Sequence, residues 1–285
     1  MSIFSGIWVP VITPFADGAV DHTALRRLVR FYAEAGVAGL VALGTTGEPA
    51  ALETAEQDAV LATILAQAGT LPVLVGLAGN HTASLRARIT QLNDLPVAGV
   101  LISAPYYIRP SQAGLIEHFT GLADLSVKPV VVYDIPYRTG VRLELATLLT
   151  LAGHPRIQAV KDCAGSLDTT LALILDGRLQ VLAGDDMNLF NTLCLGGSGA
   201  IAASAHVHPE RFVALYRALA DGRLEDGRPI FHALAPLIGA LCSEPNPGPV
   251  KAALAAQGLI SDELRAPMTR ATEDLRERLR QLVDA

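Results

Sequence analysis

The chain has 285 residues and a formal net charge of -6, and it is 51% hydrophobic but only 5% aromatic. That length suits one large α/β domain with a small appendage, or two ordinary domains, with a core that needs no covalent staples. The acidic balance and the absence of a Lys/Arg cluster argue against a nucleic-acid surface, and no apolar stretch reaches the ~20 residues of a membrane helix before Gln, Pro, Asn or Gly breaks it.

The opening MSIFSGIWVPVITPF has no basic segment before its apolar run, so no secretory signal is expected. Within it, IWVPVIT reads as a first strand. DHTALRRLVRFYAEAG follows as an amphipathic helix, with Asp21 as cap and Gly36 as stop. GLVALG is the second strand and runs into GTTGE. PVLVGL is the third, followed by TASLRARITQLND, a helix with Thr82 as its expected cap. GVLISAP, PVVVYD, IQAVKD, LQVLAG and GAIAAS complete a set of eight strands. None alternates apolar with polar, so each reads as covered on both faces. Eight β-then-α units in ~220 residues predict an α/β chain folded as a (β/α)8 TIM barrel over residues 1–222. A doubly wound open sheet is the alternative, but no GxGxxG follows the first strand. Past Asp221 the strand signal stops. EDGRPIFHALAPLIGALC, PGPVKAALAAQG and RAPMTRATEDLRERLRQLVDA predict a C-terminal three-helix appendage over 223–285.

Cys163, Cys194 and Cys242 are widely spaced with no CxxC, which points to a reducing cytosol and away from a disulfide framework or zinc site. Of the 22 basic residues only three are lysines: Lys128, Lys161 and Lys251. Lys128 precedes the fifth strand, and Lys251 falls in an appendage helix. Only Lys161 sits at the C-terminal end of a strand, the rim where barrel enzymes place their chemistry. Apolar walls there would desolvate its ammonium, lower its pKa and leave an amine able to form a Schiff base with a ketone. The plainer alternatives are a lysine snorkelling to the rim or paired with Asp162.

Other strand ends carry matching groups. Tyr133 closes the fifth strand, where a phenol can move protons on a carbinolamine or simply satisfy its hydroxyl. Arg138, in the loop after it, has the planar fork that suits a carboxylate. In GTTGE, Gly44 and Gly47 permit a sharp turn, and Thr45 and Thr46 offer hydroxyls and amides to a small carboxylate. APYYIRP brings Tyr106 and Tyr107 to the rim. GGSGAI, Gly196 to Ile201, precedes the eighth strand and reads as a tight turn, not a phosphate loop. His206 and His208 have no further ligands to complete a zinc site, and Pro209 with Glu210 reads as a helix start.

With GTTGE, APYYIRPSQ, YDIPYRTG, VKDCAG, AGDD, EPNPGPVK and APMT on the page, the chain resembles the pyruvate-dependent Schiff-base lyases of the dihydrodipicolinate synthase and N-acetylneuraminate lyase family, over nearly its whole length. PYRTG and EPNPGPVK look like the synthase branch, which condenses pyruvate with L-aspartate 4-semialdehyde to 4-hydroxy-tetrahydrodipicolinate on the diaminopimelate route to lysine. The resemblance implies that Lys161 forms the imine with pyruvate and that Thr45 and Thr46 hold the pyruvate carboxylate. It implies that Tyr133, Thr45 and a Tyr107 lent by a neighbouring subunit relay protons. It gives Arg138 the carboxylate of the second substrate and puts Gly184, Asp185 and Ile201 at the pocket wall. No cofactor or metal is implied, and the expected assembly is a cytoplasmic homotetramer, a dimer of dimers.

Several positions depart from the family pattern. Asp134 stands where Asn is usual, AASAHV replaces a Ser/Thr-Ala-Asn run, and GLAGNHT replaces a Gly-Thr-Gly turn. In lysine-inhibited synthases the inhibitor sits at the dimer interface. Asn80 and Tyr106 match that pattern, but Ser84 stands where an acid would grip the lysine amine, with Thr54 and Gln57 where histidines occur. Weak or absent feedback by lysine is therefore expected. Two other readings remain open: a sister lyase or aldolase acting on a sugar acid or other 2-oxo acid, and a non-catalytic barrel that binds a ligand.

Overall fold

The computed structural model of the protein describes residues 3–284. Its strands are β1 (Gly6–Pro10), β2 (Phe15–Ala16), β3 (Ala19–Val20), β4 (Gly39–Ala42), β5 (Val73–Leu77), β6 (Gly99–Ser103), β7 (Val130–Asp134), β8 (Ile157–Asp162), β9 (Gln180–Ala183) and β10 (Gly199–Ile201). All but β2 and β3 are parallel and close into an eight-stranded barrel in the order β1-β10-β9-β8-β7-β6-β5-β4. Each strand therefore lies beside its neighbour in the chain, as a β-then-α repeat dictates. The helices are α1 (His22–Glu34), α2 (Thr54–Ala68), α3 (Thr82–Asn93), α4 (Gln112–Ala123), α5 (Pro136–Thr139), α6 (Leu145–Leu151), α7 (Leu167–Asp176), α8 (Leu189–Cys194), α9 (Pro209–Ala220), α10 (Leu224–Leu241), α11 (Gly248–Ala256) and α12 (Glu273–Val283). The last three are the helices read past Asp221. Among the described residues no helix is long and apolar enough to cross a membrane.

Two compact units are present. One runs from Pro72 to Ile201 together with residues 3–5. It holds β5 to β10, and every residue of β6 and β7 is buried, as expected of strands sandwiched between core and helices. Ser111 caps α4 through Gly114 N–H, and Ser166 caps α7 through Thr169 N–H. Thr82 does not cap α3. It is the first helical residue, and His81 takes the cap position with its Nδ1 2.7 Å from Ser84 Oγ. A ring offers less to the first backbone amides than a short hydroxyl, so this end relies on local side-chain bonding.

The other unit is Gly6–Leu71 with residues 202–284. Asp21 caps α1 as expected, accepting from Thr23 and Ala24 N–H at 2.9 Å. Glu53 and Glu56 form a capping box at α2. Trp8 is fully buried opposite Gly39, where a Cβ would stand 2.3 Å from the indole, so only glycine lets β4 approach. β1 ends at Pro10, short of the IWVPVIT run, and Ile12 N–H then donates to His206 Nε2 at 3.2 Å. His206 is fully buried, and burial lowers its pKa to about 4, so the ring stays neutral and able to accept that bond. The histidine singled out for its metal-like spacing is thus a structural acceptor.

Candidate active site

Lys161 is the next-to-last residue of β8 and is 7% exposed. Its register partner on β7 is Tyr133, and its Nζ lies 4.3 Å from the centre of the Tyr133 ring. Burial is the largest influence and lowers the lysine pKa; Cys163 and the Asp186 carboxylate pull the other way, and the Arg138 guanidinium reinforces the lowering. The plainer alternatives fail on geometry. A snorkelling lysine would be exposed, and the Asp162 carboxylate is engaged with Ala164 N–H at 2.9 Å and Thr170 Oγ1 at 2.5 Å. What remains is a desolvated amine beside a phenol, the environment in which an ammonium gives up its proton.

Tyr133 is 8% exposed, and burial raises its pKa well above the usual phenol value, with Cys163 and Tyr137 adding to the rise. It therefore keeps its proton at neutral pH and can donate it. Cys163 had no role at the level of sequence. It lies two residues beyond Lys161 and in hydrogen-bonding range of the Tyr133 phenol, and burial pushes its thiol up to about 12, so it is a neutral neighbour and not a nucleophile. Gly184, just after β9, packs against both. A Cβ there would stand 2.4 Å from Cys163 Sγ and 2.8 Å from Lys161 Cε, so glycine is required for the lysine stem to lie where it does.

Asp185 acts through its charge on Tyr137, the residue before Arg138. It is exposed and caps the short turn that follows, accepting from Met187 N–H at 3.1 Å and Asn188 Nδ2 at 3.0 Å. The buried acid whose charge acts on Lys161 is the next residue, Asp186. Ile201 is the fully buried last residue of β10. Arg138 lies exposed in α5, its guanidinium 5.6 Å from the Tyr137 ring. Tyr107 is 88% exposed with a left-handed φ of 71°, and its N–H donates to Thr139 O at 3.0 Å, beside Arg138. Tyr106 N–H donates to Asn80 Oδ1 at 3.0 Å, so the two residues marked for regulation are in contact.

A second acid needs explanation. Asp134 follows Tyr133, is 1% exposed, and pairs in register with Asp162. Burial raises its pKa to about 7. Leu143 N–H, 3.2 Å from Oδ1, pulls against this, the Asp162 charge adds to it, and Arg142 opposes it.

The threonine turn belongs to the other unit. Thr45–Gly47 form a single 3-10 turn in which Thr45 is exposed and Thr46 is 4% exposed. Thr13 Oγ1 donates to Gly47 O at 2.7 Å, and a Cβ on Gly47 would stand 2.9 Å from Val11 O. Thr46 Oγ1 accepts from Asn246 Nδ2 at 3.0 Å. Glu48, at the end of the motif, has φ 53° and is buried with its carboxylate 2.6 Å from Lys251 Nζ. Lys251, read from sequence as an ordinary helix residue, has a side chain with no exposure at all.

Known proteins match this chain closely. A family model described as "Dihydrodipicolinate synthetase family" matches residues 3–285. A 4-hydroxy-tetrahydrodipicolinate synthase 2 from Clostridium acetobutylicum is 37% identical, with 96% of this chain and 97% of that protein covered. A 4-hydroxy-tetrahydrodipicolinate synthase from Syntrophus aciditrophicus is 38% identical over 99% of this chain and 98% of its own. Among solved structures, a dihydrodipicolinate synthase from Thermotoga maritima superposes with a TM-score of 0.96 at 33% identity, covering 99% of this chain and 98% of that one.

Proposed function

The chain belongs to the dihydrodipicolinate synthetase family, and from that premise we infer that it condenses pyruvate with L-aspartate 4-semialdehyde to 4-hydroxy-tetrahydrodipicolinate through an imine on Lys161. The single observation that carries the residue assignment is the buried Lys161 amine, with lowered pKa, 4.3 Å from the Tyr133 ring. The neutral amine attacks C2 of pyruvate, and the carbinolamine loses water to give the imine. Tyr133, which keeps its proton, supplies and recovers the protons of these steps. Loss of a methyl proton gives the enamine, whose carbon attacks the aldehyde. The amino group of the second substrate then displaces Lys161 and closes the ring. The protonated imine is itself the electron sink, so no cofactor enters this reading.

Thr45 and Thr46 take the pyruvate carboxylate, and Arg138 the carboxylate of the aldehyde. Asp185, occupied with its own turn, is a wall residue alongside Gly184 and Ile201. Tyr107, exposed on a left-handed loop, is read as lent to a neighbouring subunit. A homotetramer fits two apolar surfaces. One is Tyr106, Tyr107 and Ile108; the other is the stripe of Leu167, Leu171 and Leu175 along α7. Cytoplasmic placement and a helical appendage from 223 on are parts of the same reading.

The test is chemical. Incubation with pyruvate, reduction with borohydride and mass analysis should place one adduct on Lys161. An unmodified Lys161 would remove the proposed chemistry. For regulation, the contact between Asn80 and Tyr106 supports a remnant of the lysine site, but Ser84 offers only a hydroxyl, already bonded to His81. Lysine at modest concentration should leave turnover nearly unchanged, and strong inhibition would refute weak feedback.

A further inference from the structure

The turn that carries Thr45 and Thr46 is held from the far end of the chain. Asn246 and Lys251 lie in EPNPGPVK, Asn246 just ahead of α11 and Lys251 within it, and each reaches one residue of GTTGE. Asn246 Nδ2 donates to Thr46 Oγ1, and Lys251 Nζ pairs with Glu48 at 2.6 Å. Lys251 is further fixed by donating to Glu263 O at 2.8 Å and by the Phe15 ring 4.1 Å away. Glu48 sits in the left-handed region, a conformation that a non-glycine residue holds only when its surroundings enforce it. The buried ion pair is such an enforcement.

The Asn246 contact has a direction. A hydroxyl oxygen accepts from the amide and is left with its own proton to donate. A Thr46 that accepts from Asn246 therefore keeps its O–H proton out of that bond and available to donate, which is what an incoming carboxylate requires. We propose that Asn246 and the Lys251–Glu48 pair are positioning residues for the keto-acid carboxylate, with Asn246 setting the direction of the Thr46 hydroxyl and the ion pair holding the turn. This rests on the reading that Thr46 binds the pyruvate carboxylate.

The experiment measures the pyruvate concentration that half-saturates the borohydride-trapped Lys161 adduct in the full-length protein. Thr46→Val is the reference for the underlying reading and should raise it. Asn246→Ala should raise it about tenfold, the weight of one hydrogen bond to a charged group. The trapping rate at saturating pyruvate should stay near wild type, because Lys161 is untouched. Asn246→Asp is the discriminating variant. It keeps the shape but offers only acceptors, so the Thr46 proton turns inward and a second negative charge faces the carboxylate. It should be worse than alanine, whereas a residue needed only for packing would tolerate the isostere better. The double variant Lys251→Met with Glu48→Gln, which removes the buried charges together, should raise half-saturation severalfold. If Thr46→Val shifts half-saturation and neither Asn246 variant moves it more than about twofold, or if Asp is milder than Ala, the positioning role is wrong while the carboxylate reading stands. If Thr46→Val shifts nothing, the carboxylate reading falls and takes this inference with it.

Discussion

Lys161 and Lys251 are two buried lysines with opposite fates. Both pKa values are lowered by burial, and both amines lie near an aromatic ring, 4.3 Å from Tyr133 and 4.1 Å from Phe15. The difference is the partner. Lys251 has the Glu48 carboxylate at 2.6 Å and a carbonyl at 2.8 Å, which favour its charged form against desolvation. On Lys161 the nearby acid Asp186 acts through its charge, with no hydrogen bond to the amine among the causes of its shift. Burial by itself does not make a lysine nucleophilic; burial without a close counter-ion does.

The contrast breaks most cleanly in a pair of substitutions. Lys161→Met should abolish adduct formation and turnover while leaving thermal stability equal or higher, since it removes a desolvated amine from an apolar wall. Lys251→Met should do the reverse. It strands the Glu48 carboxylate in the interior and should cost about 3–5 kcal/mol of stability, while Lys161 in the surviving folded fraction still traps pyruvate. Denaturant unfolding and adduct mass on the same samples decide it. Equal destabilisation by the two substitutions would mean that the partner is not what separates them.

The acids obey the same rule in mirror image. Glu48 and Asp134 are both buried and both raised by burial, but Glu48 has a lysine against it and Asp134 has the Asp162 charge nearby. With a folded pKa of about 7 against an ordinary value of 3.8, Asp134 holds a proton in the folded state, between those two pH values, that it has lost in the unfolded one. Stability should therefore fall as pH rises from about 4 to about 7 and level off above that, by on the order of a few kcal/mol. Asp134→Asn should flatten this slope and leave the protein more stable at pH 8. An unchanged slope would assign it to another group.

Why some of this was readable in the sequence follows from how each feature is encoded. The eight barrel strands are continuous apolar runs because each is buried on both faces. Lys161 stood out because it interrupts such a run at its end, and strand order then puts Tyr133 beside it. Cys163 was recoverable from the alternation of a strand, which puts residue i+2 on the same face as residue i. Asp186 was not, because AGDD gives no sign of which acid turns inward. The Glu48–Lys251 pair joins two motifs far apart in the chain, and nothing local in PVKAAL marks its lysine as buried. The β2–β3 hairpin is two residues a side, too short for any period to declare it.

The finest expected effect comes from Arg138, a cation whose charge helps to lower the Lys161 pKa. Its removal has two separable consequences. Without the guanidinium the Lys161 ammonium loses a repulsive neighbour, so its pKa rises and less neutral amine is present at a given pH. The pH midpoint of pyruvate trapping should move upward in Arg138→Ala by about half a unit, since an exposed charge is largely screened by water and salt. Turnover with the aldehyde should fall far more steeply, because the same guanidinium is assigned the second carboxylate. Arg138→Lys keeps the charge without the planar fork, so it should restore the midpoint and leave turnover low. A midpoint unmoved in Arg138→Ala would confine the control of Lys161 to burial and its near neighbours Cys163 and Asp186. Full turnover in Arg138→Lys would show that a point charge suffices for the second substrate.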